Sequence, residues 1–294
     1  MKAQSAGDAA ALPFAAGASY AENDEAKDAA NGVLAEALTV DFTRSWYDTT
    51  QCATFTEVVA ATHSHPYVIH TRMEVTADGK VSKMESIVTD EGDWVFGANE
   101  YLQFTREENW GEIPAAQRDT RAAIQAAADA YIDNWGNPDL PVPHGTPCAR
   151  LEGRMYTGAG ERATTQACTM GAFPQRLNVT NRRYVIDETI GAVVIFHNFP
   201  WLDAGIATDP GTPASQMFRV ENGQNRYIHE VTVCTSPGCG RGRGAPGAGG
   251  RGGRGGPGAA PGGRGGPGGP GAAPGGRGGP PGGPGGRTGG PAGQ

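Results

Sequence analysis

ADGKVSKMESIVT, residues 77–89, and ENGQNRYIHEVTV, residues 221–233, line up at a constant offset of 144. Gly79 then falls on Gly223, Met84 on Ile228, Glu85 on His229 and Ile87 on Val231. Strand-like alternation after a glycine at matched positions implies that one unit occurs twice. Function is then to be sought where the copies differ.

Working outward, PAAQRDTRAAIQAAADAYIDNW (114–135) carries proline at its start. Ile124, Ala127, Ala128, Tyr131, Ile132 and Trp135 recur at helical spacing, with Arg118, Arg121 and Gln125 opposite. A turn-rich connection follows, then long segments rich in β-branched and aromatic residues. Helix first and then a strand meander predicts an α+β unit in which a curved antiparallel sheet wraps a helix. The first copy repeats the order of parts from Ala11, placing Glu22 on Glu152 and Glu57 near Glu188, but with only MKAQSAGDAA where the helix belongs. The expected organisation is a first unit over 1–113 without its leading helix, a second over 114–239, and a tail over 240–294.

The tail holds Gly, Pro, Ala, one Thr, one Gln and seven arginines, with no aromatic or acidic residue. Too little apolar surface is available there to offset the entropy of ordering, which predicts disorder. Removing its seven positive charges from the net −7 leaves −14 on the body, which repels nucleic acid and anionic membranes. The Arg-Gly runs resemble RNA-binding boxes, but without aromatic partners they are read first as a spacer. No apolar run reaches the ~18 residues of a membrane span. Of five cysteines, Cys148 and Cys168 are the first expected disulfide and Cys234 and Cys239 the second. Disulfides imply export, yet no leader opens the chain. Both absences, leader and helix, suggest a start inside a longer sequence.

RDTRAAIQAAADAYIDNW, VPHGTPCARLEG, NRRYVIDETIGAVVIF and FRVENGQNRYIHEVTVC resemble an uncharacterised family of secreted fungal and bacterial proteins, grouped as a domain of unknown function. That family is similar to the nuclear transport factor 2 and ketosteroid isomerase superfamily, SnoaL-like α+β cones that include scytalone dehydratase and polyketide cyclases. The resemblance implies two cone-shaped barrels and a pocket. Such barrels often pair through their open sheets, so a homodimer is also an expectation. A reaction does not follow from the fold.

Cones of this kind perform proton transfer with ionisable groups facing an apolar cavity. His229 leads as general acid or base, since it titrates in the right range and stands where the first copy has Glu85. Asp187, Glu188 and Glu152 are candidates to share its proton, and strand parity puts Tyr227 on its face. Tyr184 and Tyr227 suit donation to a developing enolate. Arg219 and Glu85 complete the expected ligand-binding set. His63 and His65 lie on one side of an extended segment, but no third ligand is fixed by spacing, so no metal is expected. No dinucleotide, Walker or zincin motif occurs, and no cofactor is expected. Asn178-Val179-Thr180 is a glycosylation triplet. The function expected is a secreted small-molecule binder acting as a cofactor-free isomerase or dehydratase, the alternative being a non-catalytic module with filled cavities.

Overall fold

The structure is a computed structural model that describes residues 2–158, 165–171, 173–201, 211–235 and 239. The expected tail lies outside the described residues. So do Pro237, Gly238 and the residues 202–210.

The first repeat runs α1 (Lys2–Ala6), β1 (Phe14–Glu22), β2 (Glu25–Ala26), β3 (Phe42–Asp48), β4 (Ala53–Ala60), β5 (Tyr67–Val75) and β6 (Val81–Thr89). A connecting helix, α2 (Ala98–Glu107), leads to α3 (Arg121–Asp133), β7 (His144–Glu152), β8 (Met155–Thr157), β9 (Thr180–Asp187), β10 (Ala192–Phe199), β11 (Thr212–Glu221) and β12 (Gln224–Thr232). Two six-stranded sheets result, ordered β2-β1-β6-β5-β4-β3 and β8-β7-β12-β11-β10-β9. The chain is therefore α+β with a repeated unit.

Register, not only order, is duplicated. In the first sheet Ala21 pairs with Glu85 and Glu22 with Ser86 in parallel; in the second Leu151 pairs with His229 and Glu152 with Glu230. Both parallel pairs carry an irregularity at the same place, bounded by Phe14–Val81 and His144–Asn225. The hairpin glycines agree as well. Gly79 and Gly223 sit at φ +78° and +69°, a left-handed conformation that glycine adopts without a Cβ clash.

The same pairings correct one alignment. Glu57 lies opposite His70 and Phe196 opposite Ser215, so Glu57 corresponds to Phe196 and not to Glu188. Residues of β3 map onto β9 instead, placing Asp48 on Asp187. The helix expected over 114–135 is also shorter. Pro114 precedes a single tight turn, Ala115–Gln117, and α3 begins only after Thr120, whose side chain accepts the Ala123 N–H at 3.3 Å. Helix α2 went unforeseen because it is short and polar, burying only Ala98, Tyr101, Leu102 and Thr105.

Each sheet has two buried faces. One face of the second sheet carries Ile186, Val193, Ile195, Phe218 and Ile228 and packs under Ile124, Ala128, Tyr131 and Ile132 of α3. In the first sheet the corresponding face is covered by the single turn of α1 and by the segment holding Leu34 and Leu38. The remaining faces cover each other. Trp46, Phe55 and Ile87 from the first repeat pack with Leu151, Val185, Phe196, Met217 and Val231 from the second. Burying each such side chain stabilises by roughly 1.5–3 kcal/mol, so the two repeats share one core.

Candidate functional site

Strand alternation sends His229 and Glu230 to opposite faces of β12, and each enters a buried polar cluster. His229 faces the other sheet. Its Nε2 lies 2.6 Å from Glu108 Oε2 and its Nδ1 3.4 Å from the Tyr101 hydroxyl. Tyr101 donates to Glu57 Oε1 at 2.6 Å, and His70 Nε2 lies 3.3 Å from the same hydroxyl. His70 Nδ1 reaches across to Ser215 Oγ at 3.0 Å, while Arg44 Nε stands 3.5 Å from Glu57 Oε2.

Burial works against charge on His229, but Glu108 and then Glu57 more than offset it and raise its pKa. Burial likewise opposes ionisation of Glu57, yet Arg44 and the two imidazoles hold its carboxyl well below the usual range. His70, with burial dominant, is pushed down. Most polar atoms of this cluster have partners, Arg44 Nη1 and Glu108 Oε1 being exceptions. The arrangement joins the two sheets.

Glu230 faces α3. Its Oε2 accepts from Gln216 at 2.9 Å and its Oε1 from Thr232 at 2.8 Å, and Glu152 is its direct neighbour across the parallel pair. Glu152 Oε1 accepts the indole N–H of Trp94 at 2.6 Å, and Arg150 Nη2 stands 3.7 Å from its Oε2. Burial first, and the Glu152 charge second, raise the Glu230 pKa to about 7.

This cluster is as buried as the sheet–sheet one. Within it Tyr131 and Arg150 interact with each other and Arg150 faces the Glu152 and Glu230 carboxylates, while Gln216 Oε1 has no close hydrogen-bond partner. A cavity of about 210 Å³ adjoins it, lined by Tyr131, Trp135, His144 and Met170 among others.

The first repeat supplies a control. Arg150, Gln216, Glu152 and Glu230 correspond in register to Tyr20, Thr71, Glu22 and Ser86. There every group is satisfied locally: Tyr20 donates to Glu22, the Val33 N–H and Lys27 add to the same carboxylate, and Thr71 and Ser86 bond each other at 2.9 Å. At the matching positions of the second copy, Arg150 Nε and Nη1 and Gln216 Oε1 have no close hydrogen-bond partner.

The expected site residues scatter over this frame. Glu152 lies in the α3-side cluster. His229 and Tyr227 lie on the sheet–sheet face, with the Tyr227 ring 5.7 Å from Trp110. Glu85 is on that face too, bonded to Arg183 and Arg72 at 2.9 and 3.2 Å. Arg219 donates to the Gly111 and Ile190 carbonyls. Tyr184 does face α3, but its hydroxyl donates to Asp129 at 2.8 Å, and burial with that carboxylate pushes it up to about 12. Asp187 sits at the seam between the sheets and accepts the Tyr47 N–H, and Glu188 accepts the Arg121 N–H at 2.9 Å. Glu230, Gln216 and Tyr131 were not singled out; the signal available was an acidic residue at an apolar-face position, in Ile228-His229-Glu230.

For metals, His144, Cys148 and Cys168 bring ligand atoms within 4.8 Å of one another, the only such trio among the described residues. Both sulfurs are already joined to each other as a disulfide. His63 and His65 turn to separate carboxylates, Glu36 and Asp90. Cys234 and Cys239 form the second disulfide, and Cys52 is free and exposed. Two disulfides are compatible with an extracellular protein. No described helix is long and apolar enough to cross a membrane.

Fold and site thus define a doubled α+β protein with two buried clusters of ionisable groups among the described residues. Residues 117–232, which hold α3 and the second sheet, match the family described as Domain of unknown function (DUF8021). No curated protein matches the chain.

Proposed function

We propose that the second repeat is a nuclear-transport-factor-2-like cone that binds a small organic molecule under α3 and catalyses a cofactor-free isomerisation or dehydration. Glu230, near neutrality, takes and returns the substrate proton, and Glu152 keeps that proton shared by charge repulsion. Tyr131 Oη and the Arg150 guanidinium donate to the oxygen that gains charge as a carbon acid is deprotonated. The observation that supports this reading best is a buried acid of raised pKa, Glu230, in one cluster with Glu152, Arg150 and Tyr131, where the first copy has Ser86, Glu22 and Tyr20. Export, suggested by the disulfides, belongs to the same proposal.

The test is hydrogen exchange at the α-carbon of cyclic ketones and β-hydroxyketones in heavy water, followed by proton NMR. Catalysed exchange that falls about 10²–10⁴-fold in Glu230→Gln supports the reading. Exchange equal to buffer with the wild-type chain rejects it in favour of a non-catalytic module.

A further inference from the structure

A second site stands apart from the cone, at the seam where edge strands β3 and β9 meet. The hairpins that follow these strands are equivalent in the two repeats, and a groove of about 390 Å³ lies between them. That size falls within the ~300–1,000 Å³ of small-molecule sites. Tyr47, Thr49 and Thr50 line it from one hairpin and Glu188 and Thr189 from the other, with Glu112 alongside.

Tyr47 is the only large apolar side chain exposed among the described residues, at 60 %. Its equivalent in the other repeat, Ile186, is buried at 2 %. The backbone at Tyr47 is fixed, because its N–H donates to Asp187 at 3.0 Å, but its ring belongs to none of the hydrophobic clusters. An exposed aromatic ring on a fixed backbone therefore borders a groove whose other walls carry hydroxyls and carboxylates beside Ile186 and Ile190.

We infer that this groove binds a neutral saccharide. A sugar ring offers an apolar face of C–H groups to an aromatic ring and a rim of hydroxyls that both donate and accept. Tyr47 matches the face, and Thr49, Thr50, Thr189 and the Glu188 and Glu112 carboxylates match the rim. The carboxylates set the charge preference, repelling an anionic sugar and accepting from neutral hydroxyls. This site uses none of the cone residues and goes beyond the function proposed above.

The experiment is saturation-transfer NMR of the full chain with cellotriose, maltotriose and glucuronate. Binding of a neutral trisaccharide, with Tyr47 ring signals shifted, is the expected result. Tyr47→Ala should weaken it at least about tenfold while Tyr47→Phe stays within about twofold, as an aromatic anchor demands. Because Tyr47 is exposed, the alanine variant keeps its fold, and an unchanged thermal midpoint verifies that. Glu230→Gln should leave saccharide binding intact, which separates this inference from the cone chemistry. No binding of either trisaccharide at about 10 mM, a level that would reveal even a millimolar complex, overturns it, as do equal binding by Tyr47→Ala and a preference for glucuronate.

Discussion

Asp48 and Asp187 make the same bond across the molecule in opposite directions. Asp48 Oδ2 accepts the Ile186 N–H at 3.0 Å, and Asp187 Oδ2 accepts the Tyr47 N–H at 3.0 Å. Such reciprocity is the mark of a two-fold interface, here formed between two repeats of one chain and not between two subunits. The copies have since diverged around it. Asp48 alone takes a bidentate pair with Arg121, at 2.7 and 2.6 Å.

Asp48→Asn should therefore cost more than Asp187→Asn. Asp48 is fully buried and its loss strands Arg121, so about 3 kcal/mol is expected, against about 1 kcal/mol for Asp187. Urea unfolding of the two variants measures the difference, and equal costs would refute the asymmetry.

Glu230 should make stability depend on pH in a stated direction. Its folded pKa of about 7 exceeds the unfolded value near 4.5, so the folded state holds the proton more tightly. Stability from this group is full below about 4.5 and lost as pH rises through about 7. Glu230→Gln should then stabilise at pH 8 by on the order of 3 kcal/mol and change little at pH 4. Chemical denaturation at the two pH values decides it.

His229 bears the opposite charge but the same sign of linkage. Its pKa is raised despite burial, by Glu108 and Glu57, so its contribution is present below the unfolded value near 6.5 and disappears as pH rises through the folded one. Removing the partner in Glu108→Gln should lower the His229 pKa, seen in the imidazole NMR titration. A titration unmoved by that change would contradict the pairing.

The Cys148–Cys168 bridge closes a segment with a sequence separation of 20. Replacing both cysteines by alanine should cost about 3 kcal/mol in the chain-entropy account. Thr169 and Met170, which follow Cys168, line the cavity beside Tyr131, so under the function proposed above the same variant should also weaken ligand binding there. Thermal midpoints with and without a bound ketone separate the two effects.

Local pattern settled much about this protein. The 144-residue offset exposed the duplication, alternation assigned the strands, and helical spacing found α3, because all three are written in neighbouring residues. It even placed His229 and Glu230 on opposite faces of β12. What alternation could not say is which face looks at α3 and which at the other sheet, since both are buried and apolar. Only tertiary packing decided that, by sending Ile228 to the helix and Val231 to the facing sheet, and with them Glu230 to the α3 side and His229 to the seam. The meeting of Arg150, Glu152, Gln216 and Tyr131 around Glu230 belongs to the same class of fact. It depends on distances between segments far apart in the chain, and no single stretch of residues encodes it.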